Sequence, residues 1–215
     1  MNNSDHGSNK DKLLKLFKTL NNNMFTTVQA FYIWRTLYLS KSISEVGAEI
    51  AQKNIETTKR HINFLMPAER NHLFAFIIGI SKFFDPHRRS LSIAKLISKV
   101  KESKEAEIIT PDDEREIQDL KSKFIPLITE LKKIRNKAAH IDTKPIDGTF
   151  IPNEVEALIN TIQQMLNKIS LRLDGSSTIW HHLKDDTIAD TNLVLENLYR
   201  GEAQKMKDIE EKWKM

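Results

Sequence analysis

Between residues 117 and 141, apolar side chains recur at Ile117, Leu120, Phe124, Leu127, Leu131, Ile134, Ala138 and Ile141. The spacings of 3, 4, 3, 4, 3, 4 and 3 follow the turn of an α-helix and not the alternation of a strand. One long stripe of this kind must be covered by other apolar surfaces, and in this chain those surfaces are helical too. Leu13, Leu14, Phe17 and Leu20 share a face of residues 12–21. Val155, Leu158, Ile159, Ile162, Leu166 and Ile169 do the same over residues 153–171. No window shows strand alternation, and 6 Gly with 6 Pro are too few breakers for many short strands. The expected fold is all-α, a helical bundle of about seven to nine helices with no sheet.

The remaining segments fit the same plan. Residues 25–40 carry Phe25, Phe31, Tyr32, Trp34 and Tyr38, an aromatic stripe read as core. Residues 44–66 are helical but weakly patterned, with a break expected before Pro67. Residues 68–84 are apolar nearly all round, as in a central buried helix, and Asp85-Pro86 stops them. Ser90 or Ser92 then caps a short helix with Leu91, Leu96, Ile97 and Val100. Thr110-Pro111-Asp112-Asp113-Glu114 is a strong helix start: a capping hydroxyl, a proline at the first position, then acids at the positive end of the dipole. The helix it opens is expected over 111–141, kinked at Pro126. Residues 142–152 read as a loop, and helices follow over 153–215 with a turn around Trp180. The polar residues 1–11 read as a disordered tail, and 12–215 as a single helical domain.

Composition removes several function classes. Cysteine is absent, so disulfides, Cys-ligated zinc, iron–sulfur clusters and a thiol nucleophile are excluded. The N-terminus has no apolar core of a signal peptide, and the longest apolar candidate, residues 73–80, is far below the ~20 residues of a membrane span. A cytoplasmic protein without a membrane partner is expected. P-loop, dinucleotide-binding, zincin and nucleophile-elbow patterns are all missing. His181-His182 with Asp185-Asp186 can be written as a metal site, but adjacent histidines face different sides of a helix, so no metal and no cofactor is expected.

The net charge of +4 is unevenly spread. Residues 51–100 hold nine basic and three acidic groups, and residues 151–200 four basic and seven acidic. Between 132 and 144, Lys132, Lys133, Arg135, Lys137 and Lys144 face only Asp142. With Arg88 and Arg89 in a compact basic loop, these residues are candidates for contact with RNA phosphates.

The stripe also says which way the basic residues point. With Ile134 at 0° and about 100° per residue, Arg135 lies near 100°, Lys132 near 160°, Asn136 near 200° and His140 near 240°. They occupy the face turned away from the stripe. Asn136 and His140 are four apart, so the amide can orient the imidazole. Arg135 and His140 lie about 140° apart around the axis, too far to grip one small group unless a second surface completes the site.

Arg135-Asn136-Lys137-Ala138-Ala139-His140 resembles the R-x-x-x-x-H signature of the HEPN superfamily of all-helical ribonucleases and nucleotide-binding proteins. The surrounding LKKIRNKAAHID looks like the abortive-infection AbiU-type branch. FIIGISKFFDP at 76–86 and SLSIAKLI at 90–97 are similar to a second recurring block of that branch. The resemblance implies a metal-independent endoribonuclease of a prokaryotic defence or toxin–antitoxin system. It implies a homodimer with Arg135 and His140 drawn from both chains across a two-fold axis. Histidine exchanges a proton near neutral pH, and arginine holds phosphate oxygens as charge builds. Some HEPN toxins carry a tyrosine two residues after the histidine, which a partner antitoxin modifies; Asp142 stands there in this chain. Control by that tyrosine modification is therefore not expected here, and an antitoxin protein stays among the candidate partners. Two other readings stay open: a HEPN-like dimer that binds RNA, nucleotide or a partner protein without cutting, and a helical interaction protein that uses the acidic half.

Overall fold

A computed structural model describes residues 5–87, 90–103, 107–139 and 150–213. Among these residues there are nine helices and no strand: α1 (Asp5–Leu39), α2 (Ile43–Val46), α3 (Ala48–Arg60), α4 (Ile62–Phe83), α5 (Ile93–Ser103), α6 (Pro111–Lys123), α7 (Ile125–Ala139), α8 (Pro152–Asp174) and α9 (Trp180–Trp213). The all-α expectation holds. The described residues fall into two compact units, one of Met1–Val28 with Phe74–Trp180, the other of Gln29–Leu73 with His181–Met215. None of the helices is long and apolar enough to cross a membrane.

Several boundaries differ from the sequence expectation, each for a physical reason. Residues 12–21 and 25–40 form one helix, because Asn21, Asn22 and Asn23 are weak helix formers but not breakers. That helix starts at Asp5, inside the stretch expected to be a tail to Asp11. Once Leu13 and Phe17 are packed, adding turns toward the N-terminus costs little. The break expected before Pro67 falls instead at His61, which caps α3 with φ −108° and ψ 32°. Pro67 lies inside α4, near its start. The helix expected over 111–141 is two helices, divided at Phe124. Pro126 is the second residue of α7, where a missing N–H leaves no bond unmade, so it starts a helix instead of kinking one.

In the first unit, Leu13, Phe17, Leu20, Met24 and Val28 of α1 are buried. So are Phe76, Ile77 and Ile80 of α4, and Leu158, Ile159, Ile162 and Leu166 of α8. α6 begins with a reciprocal cap: the Asp113 amide donates to Thr110 Oγ1 at 3.3 Å, and Asp113 Oδ2 accepts from the Thr110 amide at 2.8 Å. The same carboxylate is paired with Arg172 of α8, and Lys168 of α8 reaches Glu116 at 2.6 Å. Two ion pairs therefore clamp α6 along α8. α8 ends at Gly175, whose φ of +75° favours glycine. Asn167 then clasps the following turn, donating to Thr178 O at 3.0 Å and accepting from the Thr178 amide at 2.9 Å and Trp180 Nε1 at 3.2 Å.

In the second unit, Phe31, Tyr32 and Trp34 are buried while Tyr38 is half exposed. Three residues of the expected aromatic stripe are thus core, whereas Phe25, in the first unit, and Tyr38 are exposed, a correction to the expectation. Lys53 of α3 pairs with Glu196 of α9, and Leu37, Leu65 and Leu195 form a buried cluster.

One contact of the first unit is tight enough to test. A Cβ on Gly79 of α4 would lie 1.9 Å from Thr27 Oγ1 and 2.8 Å from Thr27 Cβ. Glycine at 79 is required by that close approach of α1. Gly79→Ala should destabilise the protein by about 1–3 kcal/mol, read as a lower midpoint of urea unfolding. Gly79→Ala with Thr27→Gly should regain part of the loss. Equal midpoints for wild type and Gly79→Ala would show that the two helices are not packed this closely.

Candidate functional site

The site is built on α7. Phe124 ends α6 with φ −104° and ψ 12°, and its carbonyl accepts the first bond of α7 from the Ile128 amide at 2.9 Å. The apolar stripe runs on through this break: Ile117, Leu120, Phe124, Leu127, Leu131 and Ile134 are all buried. With that face packed inward, the polar residues of α7 are turned the other way. Lys132 and Arg135 are half-buried, and Lys133, Asn136 and Lys137 are exposed. Ala138 and Ile141 of the expected stripe, and His140, Asp142 and Lys144, lie outside the described residues or side chains, as do Arg88 and Arg89.

Within the described part, Arg135 and Asn136 are joined. Arg135 donates from Nε at 3.2 Å and from Nη2 at 3.0 Å to Asn136 Oδ1. The two-pronged contact fixes the guanidinium plane and leaves the Asn136 NH₂ as a donor. The amide expected to orient His140 thus has its oxygen occupied by Arg135. Lys133 is drawn toward Glu130 at 3.3 Å, one turn back.

Asp85 is a residue that the sequence reading missed as part of this site. It follows α4, where Asp85-Pro86 ends the helix. Its carboxylate accepts from the His87 amide at 2.9 Å and from Ser90 Oγ at 2.7 Å, closing the turn 85–90 on itself. These two bonds, the His87 amide foremost, hold the Asp85 carboxyl below the usual aspartate range; slight burial works against them, and the Arg135 charge adds to the lowering. Asp85 is therefore within electrostatic reach of Arg135. The sequence signal was present in Asp-Pro-x-x-x-Ser, an Asx-type turn, but nothing in spacing alone links residue 85 to residue 135. The exposed His87 belongs to the same turn and lines an open groove of about 510 Å³ with Lys95 and Lys99 of α5.

His181 and His182 belong to the second unit. The rings of His181 and His182 lie 4.3 Å apart at the start of α9. Among the described residues no group of three or more His, Asp or Glu side chains is placed to hold a metal ion.

Because the folded-state pKa of Asp85 is lowered, its support for the turn is fully present above about pH 4 and is lost as pH falls below it. The His87 amide should therefore lose protection from hydrogen exchange, corrected for intrinsic rates, by roughly tenfold between pH 6 and pH 3. Asp85→Ala should show the same loss at pH 6. Protection that is unaffected by both changes would mean that something else holds the turn.

The comparisons with known proteins agree with this geometry at the level of family. A family model described as AbiU2 (HEPN_AbiU2) matches residues 10–194. No curated protein and no solved structure gives a match. The matched region takes in the whole first unit from residue 10 onward, including the α4–α5 block, the turn at Asp85 and the Arg135 helix. This bears out the resemblance seen in residues 76–97 and 131–142, and the chain belongs to the AbiU2 family of abortive-infection HEPN proteins.

Proposed function

We propose that this protein is a metal-independent endoribonuclease that acts in prokaryotic defence or as the toxin of a toxin–antitoxin pair. The observation that carries the reading is Arg135, on the outward face of α7 with the buried stripe behind it. Its guanidinium donates twice to Asn136 Oδ1, and its charge helps to lower the Asp85 carboxyl. Lys132, Lys133 and Lys137 surround it with positive charge on the same helix. A polyanion is the ligand such a face suits.

In this reading His140 takes the proton from a ribose 2′-hydroxyl, and the 2′-oxygen attacks the adjacent phosphorus. Arg135 holds the non-bridging oxygens as negative charge develops on them. The bond from phosphorus to the 5′-oxygen breaks, and that oxygen takes a proton from an acid, the matching histidine of a second protomer. The products are a 2′,3′-cyclic phosphate and a 5′-hydroxyl. No metal is needed because base, acid and phosphate clamp are all side chains. The dimer supplies what one helix cannot, since two residues five apart, as Arg135 and His140 are in sequence, would leave a common helix axis about 140° apart. DNA, which lacks the 2′-hydroxyl, is not a substrate.

Kinetics on RNA test this. His140→Ala should lower the cleavage rate by about 10²–10⁴-fold with the helical content unchanged. Arg135→Lys should also be costly, because a point charge replaces a planar fork. Asn136→Ala should be milder, acting through Arg135. Lys132→Ala and Lys137→Ala should weaken RNA binding and flatten its salt dependence by roughly one phosphate contact each. Undiminished cleavage by His140→Ala would end the proposal. Tight, salt-sensitive RNA binding without any cleavage would assign the non-cutting reading instead.

A further inference from the structure

Among the described residues, none covers the last part of α9. Up to Glu202 the helix is held in the second unit. Leu195 packs with Leu37 and Leu65, the Lys53 ammonium sits 4.1 Å from the centre of the Tyr199 ring, and Glu202 Oε1 is 3.5 Å from His61 Nε2. Residues 203–213 are then exposed without interruption. An unsupported helical segment of this length is marginal in water. It is also not polar all round. Met206 and Ile209 are 48% and 40% exposed, and Trp213 is 85% exposed.

These three residues continue a strict series. Leu195, Tyr199, Glu202, Met206, Ile209 and Trp213 are spaced 4, 3, 4, 3 and 4. That is the seam of a coiled coil, in which Tyr199, Met206 and Trp213 take one core position and Leu195, Glu202 and Ile209 the other. The outer positions, Arg200, Gly201, Gln204, Lys207, Asp208 and Glu211, carry no large apolar side chain. In the first part of the seam Leu195 is buried, while Tyr199 is 39% exposed under Lys53 and Glu202 is half-buried beside His61; the second part runs on into solvent. The family match stops at residue 194, so this segment lies beyond the matched region.

The flanking charges select the occupant. Lys205 stands just before Met206 and Glu210 just after Ile209, five residues on. In a parallel, in-register pair of helices, the residue before one core position faces the residue five further along in the other helix. Among the described residues neither Lys205 nor Glu210 has an ion-pair partner in its own chain. An antiparallel pair would set Lys205 against Lys212, two like charges. The segment is thus complementary to itself in one orientation.

We propose that residues 203–213 of α9 pair in parallel and in register with the same segment of a second copy of this chain. Met206, Ile209 and Trp213 form the seam, and Lys205 reaches Glu210 of the partner subunit in two symmetric bonds. The contact goes beyond the ribonuclease reading and does not depend on it, since it uses none of the residues of α7.

The chain has no cysteine, so one introduced thiol reports cleanly on the contact. Full-length protein carrying Met206→Cys is oxidised mildly at micromolar concentration and resolved without reductant. A seam position brings the two Cβ atoms within disulfide reach, so a covalent dimer should dominate. Gln204→Cys, on the outer face, should stay monomeric on the same gel. Adding Lys205→Glu to Met206→Cys creates two like-charge pairs and should slow dimer formation by roughly three- to tenfold. Adding both Lys205→Glu and Glu210→Lys should restore it. Equal cross-linking at 204 and 206, no cross-link at 206, or indifference to Lys205→Glu would overturn the proposal. So would a cross-link that forms only between Met206→Cys and Ile209→Cys chains, the mark of antiparallel pairing.

Discussion

The burial of one apolar stripe, Ile117 to Ile134, decides what the rest of this protein can present. Leu131 and Ile134 cannot leave the core without exposing a large apolar area, at about 25 cal/mol per Å². Their burial fixes the rotation of α7 about its axis. Arg135, one residue beyond Ile134, is then held at the edge of the packed surface, half-buried, with Asn136 and Lys137 exposed beyond it. A helix with no such stripe would turn freely, and its guanidinium would be one more solvated side chain. Here the packing supplies the orientation, and the hydrogen bonds to Asn136 narrow it further.

Two carboxylates do related work around that helix. Asp113 caps α6 through Thr110 and binds Arg172, so the start of one helix is tied to the end of another. Burial by itself would raise its carboxyl, but Arg172 and Thr110 outweigh this and the net effect is a lowering. Asp85 closes the turn after α4, and the Arg135 charge adds to the lowering of its carboxyl. The first fixes the frame that carries the site. The second brings the chain between α4 and α5 into the electrostatic surroundings of the site. Both are short, local motifs whose consequences are long-range.

The helices were legible in the sequence because burial repeats with the helical period, as in Val155 to Ile169. Their ends were less so. Asn21 to Asn23 looked like a boundary and is not one, because propensity alone, without Gly or Pro, does not stop a helix packed on both sides. Pro126 looked like a kink, although the local bonds show a new helix starting at Ile125. Proline is compatible with both, and only the Phe124 backbone distinguishes them. The outward face of Arg135 and Asn136 could be read from the wheel. The bond between them could not, since adjacent residues on a helix do not usually face each other. The electrostatic influence of Arg135 on Asp85 was invisible for a different reason: fifty residues separate them in the sequence.

The claim at the centre of this account is that side chains of α7 and of the residues just after it cut RNA through its own 2′-hydroxyl. The most direct measurement is the chemistry of the new ends. Purified protein is incubated with a defined oligoribonucleotide in excess chelator, and the products are identified by mass. The account predicts 2′,3′-cyclic phosphate and 5′-hydroxyl ends, and no products from an Arg135→Ala/His140→Ala double variant that is still folded. Products ending in a 3′-hydroxyl, cleavage that requires Mg²⁺, or equal cleavage by the double variant would contradict it.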